Sequence, residues 1–286
     1  MKQGIKDRVS RLLALVALTL GLVFVGTTAL AVTAPPTAQT YYFLVFNGPV
    51  AGKEAEYNQW YNEQHAPDVV SVPGFVSAQR YVYNDVQLRE VALKKPKYLV
   101  MYTIVTNDLP AVLAEVKRRL KTGETRVSNT LDPKSGQMYI YRAFRPEVAG
   151  ARGQPADAKP GPTETYIQVV FGDAAAGKDD EFNTWYDNDH APNMVAAPGF
   201  VSAQRATVSD VQMEPLTNPS RYLALFQIET TDLPAVFRYR GKGGEPPPAF
   251  DRDRTFGYTY RAIAPRLLGD EVRATRLKTS PQPADR

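Results

Sequence analysis

The chain contains no cysteine among its 286 residues. This absence excludes disulfides, a thiolate nucleophile, a zinc site with cysteine ligands and haem attachment through cysteine. The folded chain therefore has to be stabilised by packing, without disulfide cross-links. The composition allows this, because 43% of the residues are hydrophobic and 10% are aromatic, as in ordinary globular proteins.

Several other signals of common functions are missing. The sequence shows no Ser-His-Asp order, phosphate-binding loop or G-x-G-x-x-G pattern, which disfavours nucleophilic and nucleotide-dependent chemistry. It has no basic stripe with interleaved aromatic residues, so we expect no nucleic-acid partner. The formal net charge of +4 is concentrated at the two ends of the chain, and the part between them is close to neutral.

The first 31 residues have the order of a secretory signal. Residues 2–11 are basic, Leu12 to Val25 is an almost unbroken apolar run, and residues 29–31 read Ala-Leu-Ala. We predict a signal peptide over residues 1–31 and export to the periplasm or the exterior of a bacterial cell, with no membrane association after cleavage. The alternative is an uncleaved anchor, since the apolar character persists to Val32.

The remainder of the chain repeats itself. The octapeptide Pro73 to Arg80 recurs unchanged 125 residues later as Pro198 to Arg205. Shorter segments recur at similar offsets: Trp60-Tyr61 as Trp185-Tyr186, His65-Ala66-Pro67 as His190-Ala191-Pro192, Asp108 to Val112 as Asp232 to Val236, and Tyr141-Arg142-Ala143 as Tyr260-Arg261-Ala262. We therefore predict a tandem duplication with modules over residues 41–146 and 165–265, a linker over residues 147–164 and a polar tail over residues 266–286.

Each module is predicted to be of the α+β class, with the order β-α-β-β-α-β of a ferredoxin-like unit. The predicted strands of the first module are at 41–46, 75–83, 97–106 and 137–144. A first helix is predicted from Lys53 to about Gln64, ending before Pro67, and a second helix is capped by Asn107 or Asp108 and runs to about Leu120. The second module has a weaker second helix. A sheet with both helices on one face leaves its other face bare. The two modules are therefore expected to cover each other as an intramolecular pseudo-dimer.

The repeated motifs resemble the EthD-like branch of the dimeric α/β-barrel superfamily. They are Glu56 to Tyr61, His65 to Pro67, Val72 to Phe75 and Ala78 to Tyr81 in the first module, and Glu181 to Tyr186, His190 to Pro192, Pro198 to Phe200 and Ala203 to Arg205 in the second. The second module departs from the pattern at Ala206, which replaces Tyr81. The resemblance implies an apolar cavity between each sheet and its helices. It leaves activity open, because the superfamily includes cyclases, isomerases, monooxygenases and haem enzymes.

His65 and His190 are the only histidines in the chain and are the predicted catalytic residues. Histidine is the natural acid or base near neutral pH; a structural role at the end of the helix is the alternative. We predict no metal site, because the polar residues near the two histidines do not match between the modules: Asn62, Glu63, Gln64 and Asp68 align with Asp187, Asn188, Asp189 and Asn193. No cofactor is expected, with a haem on one axial histidine as the alternative.

Eight further residues are predicted to bind the ligand: Tyr57, Trp60, Tyr61, Arg80, Tyr81, Trp185, Tyr186 and Arg205. The Trp-Tyr pairs are equally typical of a helix-to-sheet core. Each arginine has two interpretations, an ion pair with Glu56 or Glu181, or a site for a substrate carboxylate or enolate.

The predicted function is binding of a small apolar or aromatic molecule, with proton-transfer chemistry of the isomerase, cyclase or lyase type by the paired histidines. A non-catalytic ligand-binding or accessory protein of the envelope and a haem-dependent oxidoreductase are the alternatives. Because the second module lacks the counterpart of Tyr81, we expect at most one competent pocket, in the first module.

Overall fold

The computed structural model describes residues 37–88, 97–239 and 246–279. The predicted signal peptide and its alternative, an anchor, lie outside these residues. In the described part of the chain, no helix is both long enough and apolar enough to cross a membrane.

The first half of the described chain alternates strands with short helices as the hydrophobic periodicity predicts. Its elements are β1 (Gln39–Asn47), α1 (Glu54–Trp60), a first π-helical segment (Tyr61–His65), α2 (Ala66–Val70), β2 (Phe75–Tyr83), β3 (Tyr98–Thr106), α3 (Leu109–Thr122) and β4 (Gln137–Ala143). Asp108 caps α3, since its side chain accepts a hydrogen bond from the backbone N–H of Ala111 at 3.0 Å, as expected for this residue type.

The second half has the same succession of elements. They are β6 (Glu164–Gly172), α4 (Asp179–Trp185), a second π-helical segment (Tyr186–His190), α5 (Ala191–Val195), β7 (Phe200–Val208), β8 (Tyr222–Thr230), α6 (Leu233–Tyr239) and β9 (Phe256–Ala262). Two additional short strands, β5 (Val148–Ala149) and β10 (Leu267–Leu268), precede β6 and follow β9, and β10 leads into α7 (Gly269–Thr279).

The eight long strands form one closed antiparallel barrel. Their order is β2-β3-β1-β4 in the first half and β7-β8-β6-β9 in the second. Residues Tyr141 to Ala143 of β4 pair with β7, and residues Tyr81 to Tyr83 of β2 pair with β9. These two seams close the barrel, so that neither four-stranded sheet retains a bare face or a free edge. The predicted α+β class is confirmed.

Alternation along the strands separates three hydrophobic cores. In β1, Leu44 and Phe46 belong to the barrel interior, which combines residues of both halves. Phe43, which precedes Leu44 and so lies on the other face of the strand, packs under the helices of the first half. A third core lies under the helices of the second half. The period of two in the strands therefore assigns each side chain either to the barrel interior or to a helix-covered outer layer.

Three predictions about segment ends need correction. Pro67 does not end the first helix, because it lies in the first turn of α2, where a missing backbone N–H is tolerated. The segment 147–164, predicted as a linker, contributes β5, which pairs with β7. The segment from residue 266 onward, predicted as a polar tail, contributes β10, which pairs with β2, and α7. Strands of two residues carry too little periodicity to be recognised in a sequence.

Candidate functional site

The two histidines end the two π-helical segments. In a π-helix the hydrogen bonds run from residue i to i+5, so side chains five apart lie over each other. Trp60 stacks on His65 with ring centroids 4.6 Å apart, and Trp185 stacks on His190 at 4.7 Å. Tyr61 meets the edge of the His65 ring at 4.9 Å. The spacing of Trp and His in the sequence is thus explained by a π-turn that holds the imidazole between aromatic rings.

The surroundings of His65 favour its uncharged form. Its Nδ1 lies 3.3 Å from the backbone oxygen of Arg126, a distance at which a protonated Nδ1 donates and Nε2 keeps its lone pair. Burial lowers the pKa of His65 to about 4, although the contact with Arg126 partly opposes the shift. At neutral pH, Nε2 of this imidazole can therefore accept a proton, and Nδ1 carries its only N–H.

The layer between sheet and helices is densely filled. In the first half, Tyr57 and Tyr61 are buried, with 0% and 1% of their surface exposed. In the second half, a cavity beside Arg205 and Tyr186 measures about 10 Å³, which holds at most one water. This cavity beside Arg205 is too small for the ligand that the family resemblance implies.

Arg80 is the buried cation of the first half. Only 3% of its surface is exposed. Its Nη2 donates to Oδ1 of Asn58 at 2.9 Å, and its Nη1 donates to Oδ1 of Asn62 at 2.5 Å. The guanidinium carbon lies 4.5 Å from the ring centroid of Tyr61 and 5.5 Å from that of Tyr57. Aromatic faces and amide oxygens thus surround the charge.

Arg205 occupies the equivalent place in the second half, with one difference. Its Nη1 donates to a carboxylate, Oδ1 of Asp187, at 2.5 Å, and Asp187 also accepts from Arg145 at 2.6 Å. The predicted ion pairs with Glu56 and Glu181 are wrong: Glu181 pairs with Lys178, and no ion pair joins Arg80 to any described carboxylate. The helical spacing misled the prediction, because the π-turn brings the residue six positions after Glu181 over the strand arginine.

The structure brings most of the predicted binding residues together in two clusters. One cluster is a chain of contacts that joins His65 to Trp60 and Tyr61, and these to Tyr57 and Arg80. The other joins His190 to Trp185 and Tyr186, and Tyr186 to Arg205. Tyr81 belongs to neither cluster. As the neighbour of Arg80 on a strand it faces the barrel interior, where burial raises the pKa of its hydroxyl to about 12.

A cavity of about 420 Å³ lies at one end of the barrel, between the two halves. Apolar and polar side chains contribute to its wall in pairs that repeat between the halves: Tyr42 with Ile167, Met101 with Leu225, and Gln79 with Gln204. Its size is within the range of pockets that hold small molecules. A second, smaller cavity of about 240 Å³ is lined by other residues of the barrel interior, among them Phe46, Tyr141 and Phe171.

Two glutamines are fixed in this wall. The Nε2 of Gln79 donates to the backbone oxygen of Ala264 at 2.6 Å, and the Nε2 of Gln204 donates to the backbone oxygen of Arg145 at 2.8 Å. Because both partners are carbonyl oxygens, the amide nitrogens are assigned without ambiguity. Each Oε1 is left as a hydrogen-bond acceptor in the lining of the cavity.

Charge at the cavity mouth differs between the halves. Glu147 and Arg266 both line the cavity and both are exposed. They precede β5 and β10 at equivalent positions, 119 residues apart. Burial and the nearby Glu147 carboxylate raise the pKa of Tyr42 to about 12. The mouth therefore carries a negative charge beside Tyr42 and a positive charge on the Arg266 side.

Sequence reasoning missed the residues of the barrel cavity. Gln79 and Gln204 lie inside the repeated octapeptide, on the strand face opposite the arginines, and this alternation could have indicated them. Glu147 and Arg266 lie in the segments interpreted as linker and tail. Their equivalence becomes visible only when the final offset of the repeat is continued beyond β4 and β9.

No group of three or more histidine, aspartate or glutamate side chains in the described part of the chain could hold a metal ion. For a haem, the described residues are a poor fit, because each histidine ring is covered by a tryptophan and a tyrosine. Neither histidine lines the barrel cavity.

No protein-family model matches the chain, and no curated protein matches its sequence. Among solved structures, it is similar to a monooxygenase-like protein from Fusobacterium nucleatum, with 10% identity, a TM-score of 0.50, and coverage of 80% of this chain and 94% of that chain. Another monooxygenase-like protein, from Lactobacillus acidophilus, has 8% identity and a TM-score of 0.46, with coverage of 81% and 97%. Chlorite dismutase from Candidatus Nitrospira defluvii has 13% identity and a TM-score of 0.44, with coverage of 83% and 95%.

At such low identity the likeness to the Fusobacterium protein defines the fold alone. That fold is the dimeric α/β barrel, as the repeated motifs indicated.

Proposed function

We propose that this protein binds a small molecule in the barrel-end cavity. The single observation that carries the proposal is the cavity of about 420 Å³ with its two anchored glutamine amides. Pockets for small molecules combine a largely apolar wall with a few fixed polar groups. The wall supplied by Met101, Ile167 and Leu225 suits an apolar or aromatic body, and the two glutamine oxygens suit hydrogen-bond donors on it.

The charge beside Tyr42 narrows the ligand class. Glu147 lies close enough to Tyr42 to raise the pKa of its hydroxyl, and it forms no ion pair with a described residue. A cationic or strongly donating group on an aromatic body would satisfy this carboxylate together with the glutamine oxygens. We therefore propose an aromatic amine, or a molecule of similar shape and polarity, as the ligand.

The test compares tyramine with 4-ethylphenol, which has the same ring and lacks the ammonium group. Saturation-transfer NMR on the mature protein should show specific binding of tyramine, and Glu147→Gln should weaken it about 10-fold, equivalent to roughly 1.4 kcal/mol. Thr103→Phe, which fills the cavity, should abolish binding, whereas Val127→Phe at an exposed position should not. Equal binding to wild type and Thr103→Phe would refute the site.

We further propose that the chain arose by tandem duplication of an EthD-like module and is exported. The repeated motifs, the matching succession of elements in the two halves and the leader-like first 31 residues support these proposals. Mass spectrometry of protein from an exporting host would give a mass starting after residue 31 and a monomer. A retained leader would favour the anchor, and a dimer would contradict the self-contained pseudo-dimer.

The π-helical segments favour a second candidate, proton abstraction by His65 and His190. Such segments are frequent at functional sites, and a neutral imidazole can act as a base. A substrate turned over by wild type and equally well by the double variant His65→Gln/His190→Gln would remove this candidate. For the haem alternative, a preparation grown with excess haem should show no Soret band, and a band that shifts in His65→Gln would revive it.

A further inference from the structure

The guanidinium of Arg80 is a buried charge without a carboxylate. Its hydrogen-bond partners are Oδ1 of Asn62 at 2.5 Å, Oδ1 of Asn58 at 2.9 Å and the backbone oxygen of Asn58 at 3.4 Å. Its Nε is buried without a partner, as is the Nε of Arg205 in the second half, so the difference between the two arginines lies at their Nη atoms. Buried charges in proteins are normally paired or bound to a ligand. Neutral amide oxygens and aromatic faces stabilise the cation without neutralising it.

The second half shows what neutralises the same group. Asn183 contacts Nη2 of Arg205 at 2.8 Å, as Asn58 contacts Arg80, and Tyr186 lies 4.3 Å from the guanidinium carbon, as Tyr61 does in the first half. Asp187 occupies the position equivalent to Asn62, and its carboxylate oxygen Oδ1 accepts a hydrogen bond from Nη1 of Arg205 at 2.5 Å. A carboxylate therefore fits this position within otherwise similar surroundings.

The position of Asn62, and of Asp187 in the second half, is reachable from solvent. The Asp187 side chain retains 21% of its exposure, and Asn62 is exposed, so Asn62 can turn outward without opening the hydrophobic core. In the second half Arg145 covers the outer oxygen of Asp187 at 2.6 Å. The equivalent residue in the first half is Ala264, since its backbone oxygen accepts from Gln79 as that of Arg145 accepts from Gln204. Ala264 has no side-chain group that could pair with a carboxylate at the first-half position.

We propose that Arg80, with Asn58 and Asn62, forms a binding site for the carboxylate of a small organic acid in the first half. The acid takes the place that the Asp187 carboxylate fills in the second half, so the chain has one such site. Its aromatic surroundings, Tyr57, Tyr61 and Tyr98, lie within 5.5 Å of the guanidinium carbon and favour an acid with an apolar body. This site lies on the helix-covered face of β2, opposite the barrel cavity, and does not depend on the proposed function.

Isothermal titration of the mature protein with benzoate tests the proposal, with benzamide as the neutral analogue of the same shape. We expect one benzoate per chain and at least 10-fold weaker binding of benzamide. Asn62→Asp installs the second-half carboxylate and should weaken benzoate binding at least 10-fold while keeping the protein folded. Asn188→Asp adds the same charge at an exposed position of the second half and should change binding less than 3-fold.

Two controls separate this site from others. Arg266→Gln removes the cation of the barrel cavity and should leave benzoate binding unchanged, so that failure here is distinct from failure of the barrel site. Asp187→Asn should raise the stoichiometry toward two if it folds. Three results would each overturn the proposal: equal binding of benzoate and benzamide, undiminished binding of benzoate to Asn62→Asp, or no binding in a titration up to about 10 mM benzoate.

Discussion

The two halves of the barrel hold the same strand arginine in different surroundings. In the first half, Tyr57 donates to Asn47 at 2.5 Å, and Arg80 meets only amides and aromatic rings. In the second half, the places of Asn47 and Tyr57 are taken by Gly172 and Phe182, and a small cavity of about 10 Å³ remains there. The first half thus buries more uncharged polar groups, and the second buries a neutralised ion pair.

This difference shows which parts of the arrangement are required by the fold. Both halves keep the π-turn, the stacked Trp and His, and the arginine on the face of the strand below them. The residue that balances the arginine varies. A common scaffold therefore fixes where the cation lies, while the choice between Asn62 and Asp187 decides whether its charge is satisfied internally.

The largest expected effect is the loss of the Asp187 carboxylate. Asp187→Asn leaves Arg205, of which only 4% of the side chain is exposed, without a counter-charge. We expect destabilisation by about 3 kcal/mol, since removing one member of a buried pair leaves an uncompensated charge. Urea unfolding followed by circular dichroism measures it. Asn62→Ala in the first half should cost about 1 kcal/mol. Equal costs would mean that the charge at position 187 has no special weight.

The next effect concerns the glycines that directly precede the repeated strands β2 and β7. Gly74 and Gly199 have φ angles of 96° and 95°, which favour glycine. A Cβ on Gly199 would lie 2.5 Å from Val236, and one on Gly74 would lie 2.8 Å from Val112. We expect Gly199→Ala to cost about 2–3 kcal/mol and Gly74→Ala slightly less, from backbone strain and overpacking. Thermal unfolding of the two variants compares the halves directly. An unchanged stability for either variant would show that the neighbouring valine side chain moves aside without cost.

Much of this architecture was predictable because the same motifs occur twice in the sequence. The repeat identified the strands and helices, and alternation along Phe75 to Tyr83 separated the faces of β2. The π-turns were not predictable, since one extra residue per turn leaves the apolar pattern of a short helix almost unchanged. For the same reason the partner of Arg205 was missed. The barrel cavity depends on pairing between distant strands, which no local pattern contains.

A third, smaller effect tests the polar contact that only the first half has. Asn47→Gly copies the second half and leaves the Tyr57 hydroxyl buried without its acceptor. The expected cost is about 2 kcal/mol. Tyr57→Phe in the same chain should recover about half of it, because Phe182 tolerates Gly172 in the second half. A double-mutant cycle by urea unfolding measures the coupling, and strictly additive costs would show that Asn47 and Tyr57 act independently.

The smallest effect is the pH dependence contributed by His65. Burial lowers its pKa in the folded state to about 4, below the value of about 6.5 in an unfolded chain. Between these values the unfolded chain binds more protons than the folded one, so stability is present above about pH 6.5 and decreases as the pH falls toward 4. Between pH 7 and pH 5 we expect a loss of about 1 kcal/mol from this group, after allowing for its partial exposure.

The His65 contribution can be isolated by substitution. The free energy of unfolding of wild type and His65→Gln is measured by urea titration at pH 7 and at pH 5. Between these pH values His65→Gln should lose about 1 kcal/mol less stability than wild type. His190→Gln is the matched variant of the other half, with an equally close tryptophan stack of 4.7 Å. If the two variants change the pH dependence alike, the halves place their imidazoles in equivalent environments. If only His65→Gln does so, the difference between the halves extends from the arginines to the histidines. An unchanged pH dependence in His65→Gln would contradict burial of a neutral imidazole at this position.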